Sequence, residues 1–182
     1  MEQPKPNPNN AAIKWTLINV ATSIILTYIF QFANISAVSP IRYISFIPFI
    51  AFLFLAQKEF RDQLGGYMKF GEGFSIAWRF GVFSGIILAV FLYLYYAILS
   101  PDMYTQYLEA QRAAMQARGM SSDQVDQGMQ LMTKAGMFFL ILGALIGTPV
   151  SSMIFGLIGA AIFKKERSAF ASEPADATDA TA

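Results

Sequence analysis

From Phe74 to Leu99 the chain reads FSIAWRFGVFSGIILAVFLYLYYAIL, with Arg79 as its single charge. A helix rising about 1.5 Å per residue over this length outreaches the roughly 30 Å hydrocarbon core of a bilayer. Trp78 near one end and Tyr93, Tyr95 and Tyr96 near the other fit the aromatic belts of the two interfaces. Composition extends the argument to the whole chain. Of 182 residues, 55% are hydrophobic and 14% charged, against about 25% charged in a typical soluble domain. Water could not solvate so much apolar surface, so a bilayer must cover it.

Three further spans are expected. WTLINVATSIILTYIFQF, Trp15 to Phe32, carries no charge, and with Ala33 it sets the first span at about 15–33. A secretory signal peptide would need a shorter apolar core behind a more basic start, so this helix reads as retained. The second, about 40–56, opens with Ser39 as N-cap and Pro40 at the first helical position. Arg42 near its start snorkels toward headgroups, and Pro48 is expected to bend it slightly. This segment is short enough that a re-entrant or tilted course competes with a full crossing. The third is 74–99 and the fourth about 136–163, ending at Lys164-Lys165.

Four spans place both termini and the 57–73 loop on one side. That side holds Lys5, Lys14, Lys58, Arg61, Lys69, Arg79, Lys164, Lys165 and Arg167, nine cations against four on the other, Arg42, Arg112, Arg118 and Lys134. The positive-inside rule therefore predicts cytoplasmic termini. Trp15 and Trp78 then share the inner interface.

The connecting segments have their own character. Residues 1–10 (MEQPKPNPNN) and 168–182 read as disordered tails, the latter acidic, flanking a single membrane domain at 11–167. The 57–73 loop turns at Gly65-Gly66. In its GEGF run, Gly71 and Gly73 free the backbone around Glu72, whose carboxylate suits the start of the third span. The alternative role for Glu72 is to bind a cation or partner at that surface. Residues 101–135 predict a helical hairpin outside the membrane. Tyr104, Leu108, Gln111 and Met115 mark one face, Gly119 is the stop, and Ser121 with Gln124 has capping-box spacing. The fold class is thus all-α membrane protein, four transmembrane helices with an extramembrane helical hairpin between the third and fourth.

GGYMKFGEGFSIAWRFGVFSGII (Gly65–Ile87), LYYAILSPDMYTQYLE (Leu94–Glu109) and the terminal IFKKE carry a resemblance over nearly the whole chain outside the tails. The chain resembles a bacterial, mainly Bacteroidetes, family of four-helix membrane proteins catalogued as domain of unknown function 4199. The resemblance implies a multi-pass inner-membrane protein and brings no catalytic residues with it.

The most informative stretch is GALIGTPVSSMIFG, Gly143 to Gly156. Gly143, Gly147 and Ser151 form one row of small residues four apart, and Ser152, Gly156 and Ala160 form a second. Gly81, Gly85 and Ala89 repeat that spacing in the third span. Small residues let helix backbones approach closely in lipid, where packing is the main attraction. Pro149 removes a backbone donor and is expected to kink the helix. A broken helix holding a substrate is the competing reading, but no acid or base lies deep in any span, and such a group would mark a transport path.

The chain has no Cys and no His, which removes thiol nucleophiles, the usual zinc sites and the common neutral-pH base. No cofactor or metal is expected; the methionines at 103, 115, 120, 129, 132 and 137 read as packing rather than copper ligands. A net charge of +1 gives nucleic acid no field to follow. The expected function is a non-enzymatic module acting through helix contacts with itself or a membrane partner. The alternative is a small transporter or channel subunit with spans three and four lining a path.

Overall fold

The computed structural model describes residues 6–165, which form five α-helices and no β-strand. Helix α1 (Pro8–Phe32) begins at Asn7, whose side-chain oxygen accepts from the Asn9 N–H at 2.9 Å, with Pro8 at the first helical position. Segment 1–10 is therefore not all tail, because its Asn and Pro residues supply helix-start chemistry. Residues 1–5 and the acidic tail 168–182 lie outside the described residues.

Three reversals use one hydrogen-bond pattern, in which a residue of positive φ follows the helix and its own N–H and the next one reach back to the helix's last turn. After α1 this residue is Asn34, at φ 52°, with Asn34 N–H on Gln31 O and Ile35 N–H on Phe30 O. After α2 (Phe46–Gln63) it is Gly65, at φ 77°, and after α4 (Pro101–Ala117) it is Gly119, at φ 76°. The two glycines were legible as stops. Asn34 was not, although asparagine tolerates this region better than most side chains.

The second span departs from expectation at its start. Pro40–Ser45 form a 3₁₀ turn, and Ser39 is extended but makes no side-chain cap bond. Pro48 is the third residue of α2, where its N–H would have no partner in the helix anyway.

Helix α3 (Phe70–Leu94) starts where the Lys69 N–H donates to the Glu72 carboxylate at 2.9 Å. It passes into a π-helical turn, Tyr95–Leu99, with the Ser100 N–H bonded to Tyr95 O at 2.7 Å. Helix α5 (Ser122–Phe163) is continuous for 42 residues, opened by the Ser121–Gln124 capping box. Its first turns and α4 make the hairpin, joined by Tyr104 Oη donating to Met132 O at 3.1 Å and by an Arg112–Asp126 ion pair at 2.6 Å. Burial holds the Tyr104 phenol above the usual tyrosine range.

Four segments are long and apolar enough to cross a membrane: α1, Pro40–Gln63, Phe70–Leu99 and α5. α1 and α3 run in the same direction, with Thr16 Oγ1 on Phe80 O near one end and Tyr95 Oη on Gln31 Oε1 at the other. α2 and α5 return. The most extensive contact is α3 on α5, and the core gathers Leu53, Ala56, Phe60, Ile76, Ala77 and Phe80. Ile25, Ile29, Ile86, Val90, Phe138, Ile154 and Ile158 face outward, as lipid contact requires. At the end carrying the termini, Met68 and Lys165 exchange both backbone hydrogen bonds, clipping the α2–α3 loop to the end of α5. There Glu59 accepts from Lys14 Nζ and Trp15 Nε1, each at 2.8 Å. Arg79, two turns into α3, bonds back to Ser75, which carries its charge toward the same end.

Candidate functional site

The two small-residue rows of α5 part company. Ser152, Gly156 and Ala160 are buried against α3. Ser152 Oγ donates to Ala77 O at 2.7 Å. A Cβ on Gly156 would overlap that of Ala77, and one on Gly73 would lie 3.1 Å from the Ala160 Cβ. From the other side, a Cβ on Gly81 would come within 2.6 Å of Ser152 and 2.8 Å of the Pro149 Cα. A Cβ on Gly85 would approach Ala144 O at 2.9 Å and the Pro149 ring at 3.3 Å. Ala89 is also buried. Pro149 therefore sits against the two α3 glycines, and α5 stays helical through it. The competing broken-helix reading is not met, since α5 is continuous from Ser122 to Phe163, and the proline is part of the packed surface.

Gly143 and Gly147 do not share this role. Both are exposed, and a Cβ on either would meet no atom within 4 Å. Of the two contacts such small-residue rows can make, with span three or with another subunit, Gly143 and Gly147 do not make the first: an i, i+4 row and its neighbour one residue on face about 100° apart, so only one can meet α3. Together with Thr148 and Ser151 they border a cleft of about 360 Å³, whose other walls are Ser23, Ser45, Phe46, Phe49 and Leu88. Ser151 is half-buried there rather than packed.

The remaining candidates behave as helix starts and turns. Gly65 and Gly66, both of positive φ, form the α2–α3 turn. A Cβ on Gly71 would meet nothing within 4 Å, and Glu72 caps α3 by accepting from Lys69 N–H.

Sequence reasoning passed over Gln57. Its side chain is fully buried, and Nε2 donates to Gly73 O at 3.0 Å and Gly156 O at 2.9 Å. One amide thus ties α2 to α3 and α5. A Cβ on Gly159 would overlap Gln57 Oε1, so the glycine makes room for it. Two residues before Glu59, Gln57 looked like part of the wet end of the span. Asn19 and Ser84, from the parallel α1 and α3, are buried too, and Asn19 Nδ2 and Ser84 Oγ have no hydrogen-bond partner among the described residues.

Small-residue packing, one interhelical amide and a cleft bordered by hydroxyls define a four-span helical membrane protein. The chain belongs to the family described as Protein of unknown function (DUF4199), which it matches over residues 14–165. No curated protein and no solved structure matches it.

Proposed function

We propose that this chain is a non-enzymatic multi-pass protein of the bacterial inner membrane, with cytoplasmic termini, that works by associating with a second copy or another membrane protein. The observation that carries this reading is the exposed Gly143–Gly147 pair beside the cleft. These glycines have the spacing of a helix-contact surface, yet no helix among the described residues packs on them. Large side chains of a neighbouring helix fit the adjoining space. In lipid nanodiscs the protein is expected to form a defined complex, seen by native mass spectrometry or crosslinking. Gly147→Leu is expected to dissolve that complex while the thermal midpoint of the protomer holds, since a Cβ at this position meets no atom within 4 Å and the cleft beside it has room for the rest of the side chain. A wild-type protein that is monomeric and captures no membrane protein on crosslinking counts against the proposal.

A second reading has its own support. Ser23, Ser45, Thr148 and Ser151 bring hydroxyls to the same cleft, and small polar groups at depth suit a path for a solute. That reading predicts flux in proteoliposomes, abolished by Thr148→Val with Ser151→Ala while the complex persists.

A further inference from the structure

A cavity of about 480 Å³ lies at the other end of α1, between it, the 3₁₀ turn, the π turn and α4. That falls within the range of small-molecule sites. Two opposite charges line it, Arg42 and Glu109, and neither has an ion-pair partner among the described residues. Arg42 is held in place by neutral groups only. Its Nε donates to Ser36 O and its Nη2 to Ile35 O, both at 2.9 Å, and the guanidinium lies 5.3 Å from the Phe30 ring centroid. Its charge is thus oriented but not neutralised. Carbonyl partners fix a guanidinium without cancelling its field, and a planar fork favours phosphate or carboxylate oxygens.

Part of the lining is aromatic. The π turn brings Tyr95 and Tyr96 together, ring centroids 5.0 Å apart, and Tyr107 of α4 lies 6.3 Å from Tyr96. Such π turns recur at functional sites. Tyrosine faces attract ammonium groups, as does the Glu109 carboxylate. The depth is also telling. This cavity sits where the spans give way to the hairpin, the level of lipid headgroups under the four-span reading.

We infer that this cavity binds a zwitterion, its phosphate or carboxylate against Arg42 and its ammonium against Glu109 and the tyrosine rings. The headgroup of an aminophospholipid and a free zwitterion of similar size share this chemistry. The site is separate from the Gly143–Gly147 cleft, so the inference stands or falls independently of the association reading.

The test uses the full chain in dodecyl maltoside, with thermal midpoint as readout. Phosphoethanolamine and dihexanoyl phosphatidylethanolamine are compared with inorganic phosphate, ethanolamine and dihexanoyl phosphatidylglycerol. At least one zwitterion is expected to raise the midpoint more than phosphate and ethanolamine together. A response to phosphoethanolamine itself identifies a soluble ligand, and a response to the aminophospholipid alone identifies a headgroup. Glu109→Gln, an exposed change on α4, is expected to weaken the apparent affinity for the zwitterion roughly tenfold while the phosphatidylglycerol response stays the same. Arg42→Gln is expected to remove the response to every anion. Because Arg42 also ties the loop after α1, the Glu109 variant decides the matter if Arg42→Gln does not fold. No midpoint change with any zwitterion, phosphate acting as well as phosphoethanolamine, or Glu109→Gln behaving as wild type would each overturn the inference.

Discussion

Glycine has two opposite meanings in this chain, and only its neighbours separate them. Gly156 lies where any side chain would run into Ala77. Neither helix backbone can yield without losing the rest of the seam, so Gly156→Ala should cost about 1–3 kcal/mol through overpacking. A lowered thermal midpoint is the check, and Gly143→Ala, which faces open space, serves as the control with little change. Ser152→Ala removes one bond to Ala77 O and should cost only about 0.6 kcal/mol, the average for interhelical hydrogen bonds in membranes. Gln57 differs, since its amide joins two helices to a third. Gln57→Leu should cost more than Ser152→Ala, and equal effects would show that the amide adds nothing beyond its volume.

Among the elements, the hairpin shows which contacts matter. Its Arg112–Asp126 pair is short, but both side chains are more than half exposed. Exposed pairs of this kind contribute about 0–1 kcal/mol, so Arg112→Ala should barely move the stability of the hairpin. Tyr104 is the stronger link, donating to the Met132 carbonyl with Gly136 packed beneath its hydroxyl. Its folded-state pKa is raised by burial. The stability it contributes is therefore complete below the ordinary tyrosine value of about 10 and is lost as pH rises through the higher folded value. Hydrogen exchange of α4 amides should accelerate at that alkaline edge in the wild type, and Tyr104→Phe should abolish the edge. Capping chemistry was readable at this scale because it is local. Ser121 with Gln124, Gly65 and Gly119 each depend on atoms only a few residues away. The turn at Asn34 relies on the same geometry, but asparagine fits many backbone settings and so gave no clear stop.

The whole molecule raises the question of orientation. Nine of thirteen Lys and Arg residues fall on the side of the termini and the α2–α3 loop, and the proposal places that side in the cytoplasm. The native chain has no cysteine, so single cysteines report cleanly. In intact spheroplasts, cysteines at Gln116 and Gln127 should react with a membrane-impermeant maleimide, while one at Gln63 should not. The reverse pattern would invert the topology, and reaction at all three would mean that a segment does not cross.

What the amino-acid order determined by itself was much of what has a short physical range or is a simple sum, the Asn34 turn and the Asn7 helix start excepted. Apolar length set the four spans, caps and positive-φ glycines set helix ends, and the spacing of small residues marked the third and fourth spans as contact surfaces, for each other or for another subunit. Tertiary structure decided which face of α5 does the packing. Rows 143–147–151 and 152–156–160 are equivalent as spacing, and only the docked α3, with Pro149 seated against Gly81 and Gly85, distinguishes the seam from the cleft. It also decided the roles of Gln57 and Arg42. A side chain near the end of an apolar run looks wet in sequence. Whether it meets water, a carbonyl on a distant helix or an unneutralised cavity depends on groups that only folding brings within a few ångströms.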